Sequence, residues 1–116
     1  MRCYLFDIDG TIADLTHRLD FVRGDEKDWD AFFTHMVNDA PRKEIIDEVN
    51  ELSKTHDIIL VTGRPEKYRW FTVDWLKLAG VNFNWLIMRE DHDKRPDDQV
   101  KEDILTALAQ LGGKIA

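Results

Sequence analysis

The sequence predicts an α/β fold: a parallel sheet between two layers of helices, in a Rossmann-like three-layer α/β/α arrangement. Three observations carry that prediction. Apolar runs of strand length stand at residues 2–8, 58–61 and 83–88, and a strand covered by helices on both faces reads as a continuous apolar run. Stripes of apolar residues at helical spacing separate those runs. Each run ends in charged or hydroxyl residues, and open α/β sheets bind ligands just outside the carboxyl ends of their strands. Strands that alternate with helices imply parallel pairing and right-handed crossovers.

The first run closes in Asp7-Ile8-Asp9-Gly10-Thr11. Asp7 and Asp9 share a face of a continuing strand, and they repel unless a cation or a proton sits between them. An Asp-Gly turn closing a hairpin is the plainer alternative, but residues 12–18 supply no alternating second strand. Residues 11–28 read as a loop with a short helix over the carboxyl end of the sheet. Trp29, Phe32, Phe33 and Met36 then recur at helical spacing. That stripe reads as core packing in preference to a base-stacking role.

Pro41 suits the first turn of a helix, whose stripe is Ile45, Ile46, Val49 and Leu52, broken at His56-Asp57. The second strand ends in Thr62-Gly63-Arg64-Pro65. Pro65 starts a helix carrying Tyr68, Phe71, Trp75 and Leu78 to a stop at Gly80. The third strand ends at Arg89, and a charged loop fills residues 90–95. Pro96 with Asp97 and Asp98 opens the next helix, the acids suiting its positive end. It carries Val100, Ile104, Leu105 and Leu108 to Gly112-Gly113, and residues 114–116 begin a fourth strand.

The 116 residues suffice for one compact domain and not for two, with an apolar fraction of 43%. The net charge of −7 argues against non-specific coating of nucleic acid, which needs a basic face, but allows a local basic pocket. Cys3 is the only cysteine and reads as a buried core thiol. His17, His35, His56 and His92 show no zinc-ligand spacing. No apolar stretch is long enough to span a membrane, and no secretory leader is visible. The expected compartment is the cytoplasm, or the host cytoplasm if the source is viral.

The strand ends bring different groups to one rim. The first brings Asp7, Asp9 and Thr11. The second brings Thr62, Gly63 and Arg64. The third and its helix bring Arg89 and Lys101. Carboxylates, hydroxyls, backbone N–H groups and cations suit phosphoryl transfer: an aspartate can attack phosphorus, Mg²⁺ takes carboxylate and phosphate oxygens, and fixed donors neutralise the transferring group. Plainer roles stand beside these. Thr62 could cap a helix near Pro65, Lys101 could be a solvated helix lysine, and Arg64 and Arg89 could pair with surface acids.

Asp7-Ile8-Asp9-Gly10-Thr11, Thr62 after an apolar strand, and Lys101 resemble the first three motifs of the haloacid dehalogenase-like (HAD) phosphohydrolase superfamily. A closer likeness is to the 3′-phosphatase domains of phage polynucleotide kinase-phosphatases. It rests on Asp7 to Thr11, Arg18, Thr62-Gly63-Arg64 with Lys67-Tyr68, Arg89, and Asp97 to Glu102. The resemblance implies one HAD-like domain over residues 1–116 with a small cap insert at about residues 12–40. It implies Asp7 as nucleophile and Asp9 as general acid, then base. Thr62 and Lys101 would hold the phosphate, with Gly10, Thr11, Gly63, Arg18, Arg64 and Arg89 near the substrate. Mg²⁺ would sit on the Asp7 carboxylate and the Asp9 backbone carbonyl.

The family also places an acidic fourth motif at the end of the fourth strand, and that acid is absent from the chain, which stops inside the strand. The expectation is a truncation that weakens Mg²⁺ binding and leaves the first strand with an open edge, where a second copy could pair. Met1 running directly into the first strand suggests a stand-alone protein.

The resemblance thus implies a Mg²⁺-dependent phosphomonoesterase, foremost on nucleic-acid or nucleotide 3′-phosphates, since a short cap leaves room for a polymer end. A phosphatase of small metabolites is the alternative within that class. A catalytically disabled fragment or assembly module is the alternative outside it.

Overall fold

The computed structural model describes residues 2–110 and 114–115. Its sheet is parallel, with strands β1 (Arg2–Asp7), β4 (Asp57–Pro65), β5 (Trp85–Arg89) and β6 (Lys114–Ile115) in the order β5-β4-β1-β6. Tyr4 pairs with Ile58 and Asp7 with Val61, so the polar ends of β1 and β4 come out side by side. The alternation of strands with α2 (Lys43–Leu52), α3 (Arg69–Ala79) and α4 (Asp97–Gln110) gives the expected α/β architecture. Ile8, Ile58 and Leu60 pack with Ile46 and Val49 of α2 and with Trp75 and Leu76 of α3. No helix among the described residues is long and apolar enough to cross a membrane.

Several boundaries differ from expectation, each for a local reason. β4 does not stop at Val61. It runs on to Pro65 through an irregularity in its pairing with β5, and Pro65 pairs with Arg89. The Arg89 guanidinium holds the two strands together there, its Nε donating to the Gly63 carbonyl at 2.9 Å.

Pro41 is not in a helix. It lies in β3 (Ala40–Pro41), antiparallel to β2 (Ala13–Asp14), and α2 begins only at Lys43. A short two-stranded ribbon tolerates proline because an unpaired edge needs no N–H there. The next residue supplies one instead, Arg42 N–H donating to the Ile12 carbonyl at 2.8 Å.

In α3 the buried face is Thr72, Trp75 and Leu76, following Tyr68, which leaves Phe71 40% and Leu78 83% exposed. α4 buries Val100 but not Leu105. Cys3 is half-buried rather than enclosed. β6 pairs with β1 only at Arg2 and Cys3, so the rest of that flank of β1 has no partner strand among the described residues. The expected stop at Gly112-Gly113, and Ala116, lie outside the described residues.

Residues 11–42 form a small insert over the sheet's carboxyl ends. It contains β2, a 3₁₀ turn at Thr16–Val22, α1 (Trp29–Thr34), a second 3₁₀ turn at His35–Asn38, and β3. Asp28 caps α1, its carboxylate accepting from Ala31 N–H at 3.0 Å.

Candidate active site

The chain turns sharply where β1 leaves the sheet. Gly10 takes a φ of +83°, where a side chain would be strained, and the Ile8 carbonyl accepts from the N–H groups of Thr11, Ile12 and Ala13. This turn leaves Asp7 and Asp9 on the same rim, in different surroundings.

Asp7 faces an open cavity of about 700 Å³. Its Oδ1 accepts from the Ile8 N–H at 3.0 Å and from Lys101 Nζ at 2.9 Å. Its Oδ2 has no hydrogen-bond donor among the described residues. Lys101 reaches Asp7 from α4 and is braced one turn back by Asp97, 2.8 Å from its Nζ. Burial raises the Asp7 pKa, Lys101 works against the rise, and the neighbouring Asp9 and Asp97 carboxylates add to it; the net shift is upward.

Asp9 sits behind Asp7 against two arginines. Arg64 Nη2 lies 2.7 Å and Arg18 Nη2 2.7 Å from its Oδ1. Asp39, from the end of the insert, completes the cluster: Arg18 binds it bidentately at 2.8 Å through Nε and Nη2, and Arg64 Nη2 is 3.4 Å away. Two guanidinium groups thus face two carboxylates, a balance that makes burying four charges tolerable. Both arginines are fully buried. Burial opposes ionisation of Asp9, but Arg64 and Arg18 outweigh it and hold the carboxyl below its ordinary range. Half-exposed His17 touches the cluster from outside, Nε2 2.7 Å from Asp39 Oδ1.

The residues singled out from the sequence therefore divide. Asp7, Asp9, Gly63, Arg89 and Lys101 line the cavity. Arg18 and Arg64 do not. They stand behind Asp9, which inserts their charge between the carboxylates instead of presenting it to a ligand. Thr62 is also fully buried, its hydroxyl 3.4 Å from Asp9 Oδ2 and accepting from the Arg64 N–H. Gly10 and Thr11 form the turn and are not in the cavity wall. Arg89 spends its donors on main-chain carbonyls of Gly63, Asp93 and Arg95, with Asp97 Oδ1 3.6 Å from Nη2.

Sequence reasoning missed three features. Asp39 gave no signal, because nothing local marks an acid that will be buried. Asp97 stands in the segment that carries the resemblance, but its bracing of Lys101 is signalled only by their i, i+4 spacing. Of the stripe Trp29, Phe32, Phe33, Met36, expected to pack in the core, only Phe32 and Met36 are buried. Trp29, Phe32 and Phe33 all line the cavity, so α1 stands at its rim.

Hard oxygen donors are present for a divalent cation. The Asp7 carboxylate is an oxygen donor of the kind that suits an ion which keeps most of its waters and takes an oxygen from a bound phosphate, as Mg²⁺ does. The Oδ2 of Asp7 has no donor among the described residues, while Asp9 and Asp97 are paired with Arg18, Arg64 and Lys101. Among the described residues no three His, Cys, Asp or Glu side chains come together as a ligand set.

Comparison with known proteins agrees with the fold. The family model described as the polynucleotide kinase PNKP phosphatase domain matches residues 1–110. Among solved structures, a chain of the Pnkp1/Rnl/Hen1 complex superposes with a TM-score of 0.74 at 21% identity, over 90% of this chain and 33% of that one. A chain of the Pnkp1/Rnl/Hen1 RNA repair complex does so with a TM-score of 0.74 at 20% identity, over 91% and 31%. At these identities the likeness is one of fold, and this chain spans about a third of the solved chains it matches.

Proposed function

The chain belongs to the family of polynucleotide kinase PNKP phosphatase domains, and on that premise we propose that it is a Mg²⁺-dependent phosphomonoesterase acting through an aspartyl-phosphate on nucleic-acid 3′-phosphate ends. The observation that carries the reading is the asymmetry of Asp7. One carboxylate oxygen is held by Lys101 and the Ile8 N–H, and the other is free toward the cavity. A nucleophile needs that combination of fixed orientation and an unengaged lone pair.

In the first step Asp7 Oδ2 attacks phosphorus and the bond from phosphorus to the ester oxygen breaks. The departing oxygen takes a proton from Asp9. In the second step water attacks the phosphorus of the aspartyl-phosphate, the bond to Asp7 breaks, and Asp9 receives the proton of that water. Arg18 and Arg64 keep Asp9 ionised at rest, the form the second step uses. The first step draws on the protonated form, so Asp9 must take up a proton from solvent before it can give one to the leaving oxygen, and the two arginines oppose that uptake. Lys101 offsets charge on the phosphoryl oxygens. Mg²⁺ on Asp7 and the Asp9 carbonyl would supply further neutralisation of the phosphate.

The test is phosphate release from a 3′-phosphorylated oligonucleotide and from a generic aryl phosphate, with Mg²⁺ and with chelator. Release that needs Mg²⁺, favours the oligonucleotide and drops by at least about 10³-fold in Asp7→Asn is expected. Undiminished release by Asp7→Asn would overturn the assignment of the nucleophile. Release that ignores chelator would overturn the metal.

A further inference from the structure

We propose that the outer face of α3 is the contact surface for a second copy of this chain, packed against it antiparallel about a two-fold axis. The inference stands apart from the phosphatase reading. It begins with three large apolar side chains left in water. Trp70 is 80%, Leu78 83% and Phe71 40% exposed. Single exposed apolar residues are ordinary, whereas a contiguous group of them marks an interaction surface.

The helix brings the three together. At about 100° per residue, Trp70, Asp74, Leu78 and Phe71 fall within about a quarter of its circumference, with Lys77 at the margin. Thr72, Trp75 and Leu76 occupy the other side and are buried. Packing within the chain therefore uses one side of α3, and the apolar side chains on the other meet no covering element among the described residues.

The charges on that face say what covers it. Asp74 and Lys77 are both exposed, and the one ion pair that α3 makes among the described residues is that of Arg69 with Glu66. One acid and one base three residues apart suit a surface that meets itself. An axis crossing α3 near residue 75 sets Asp74 of each copy opposite Lys77 of the other and lays Leu78 over Phe71 and Trp70. Every contact then occurs twice, as an isologous interface requires. A partner of a single charge sign would be repelled by one of the two residues. The net charge of −7 opposes self-association elsewhere on the molecule, so copies approach most readily where acid and base balance. An added strand is a poorer occupant on this side. The outer strand is β5, and its Leu86 carbonyl already accepts from Arg69 Nη2 at 3.1 Å.

Aromatic side chains carry roughly 150–250 Å² each, so two such faces bury on the order of 1,000 Å² in all, the low end for specific interfaces. The dimer is accordingly weak, with a dissociation constant in the micromolar range. Lys67 and Tyr68 line the cavity, but Trp70, Phe71 and Leu78 do not, so the cavity wall is not part of the contact.

Sedimentation equilibrium of the full chain from about 1 to 200 μM brackets such an affinity. A concentration-dependent passage from monomer to dimer is expected. Trp70→Glu and Leu78→Glu should each raise the dissociation constant at least about tenfold, while the urea midpoint at the lowest concentration stays that of the wild type, because both side chains are exposed. Asp74→Lys and Lys77→Asp should each weaken self-association. An equimolar mixture of those two variants should form a heterodimer at least as tight as the wild-type dimer, since a basic face then meets an acidic one.

A monomer across the whole range overturns the proposal and leaves the face to a different protein or domain. A dimer that survives both glutamate substitutions also overturns it and assigns the contact to another surface, such as the flank of β1. A mixture of the two charge variants that associates no better than either alone overturns the antiparallel packing.

Discussion

Arg64 and Asp9 are 55 residues apart in the chain and in contact in the fold, with Nη2 2.7 Å from Oδ1 and Nε 3.2 Å from both carboxylate oxygens. Arg18 and Asp39 close the cluster into two cations and two anions. Arg64→Met leaves two buried carboxylates to share Arg18. A loss of about 3 kcal/mol in unfolding free energy is expected, measured by urea denaturation. Arg64→Lys should recover only part of it, since an ammonium cannot meet both oxygens of Asp9 side by side. Full recovery by lysine would show that charge alone, without the forked geometry, holds the cluster.

Gly63 and Asp97 touch too closely for a side chain. A Cβ at Gly63 would stand 1.7 Å from Asp97 Oδ1, so the carboxylate that braces Lys101 must swing away in Gly63→Ala. Because the displaced atom ends an exposed side chain, stability should fall by only about 1 kcal/mol, while phosphate release falls more. The two sites are coupled, so adding Gly63→Ala to Asp97→Ala should cost less than it does in the wild-type background. Additive effects would mean that the backbone of β4, not Asp97, has yielded.

Lys101 sets the ionisation of Asp7. Burial raises the Asp7 pKa, Lys101 lowers it, and Asp9 and Asp97 raise it again. Removing the ammonium in Lys101→Met takes away the main lowering influence, so the carboxyl titrates higher still. The attacking form is the carboxylate, and its fraction declines as pH falls through that pKa. The acid limb of kcat/KM therefore moves to higher pH in Lys101→Met. Carbon-13 NMR of the Asp7 carboxyl in metal-free protein follows the same titration directly, and an unmoved midpoint would contradict the pairing.

Tyr68 makes the fold sensitive to alkali. Burial, and donation to the Asp30 carboxylate, push its hydroxyl up to about 12. A tyrosine in the unfolded chain ionises near its ordinary value of about 10. The folded pKa is the higher one, so the contribution is complete below about pH 10 and is lost as pH rises toward 12. Unfolding at pH 9 and at pH 11.5 should show a smaller decline in Tyr68→Phe than in the wild type. Equal declines would assign the alkaline loss to other groups.

What the sequence determined by itself is the part governed by local periodicity. Continuous apolar runs marked β1, β4 and β5, and helical stripes marked α2 to α4, because strand and helix repeat over a few residues. Polar residues closing each run put Asp7, Asp9, Arg89 and Lys101 at one rim. The tertiary structure decided what those residues face. Arg18 meets Asp39 across 21 residues and Arg64 meets Asp9 across 55, and no short-range pattern encodes which buried charge will neutralise which. Likewise the stripe on α1 fixed which residues share a face, but only the placement of that helix at the rim decided that this face lines the cavity, with Phe32 buried in its wall and Trp29 half exposed. Local sequence sets the repeat of an element, while burial and charge balance depend on what the rest of the chain brings against it.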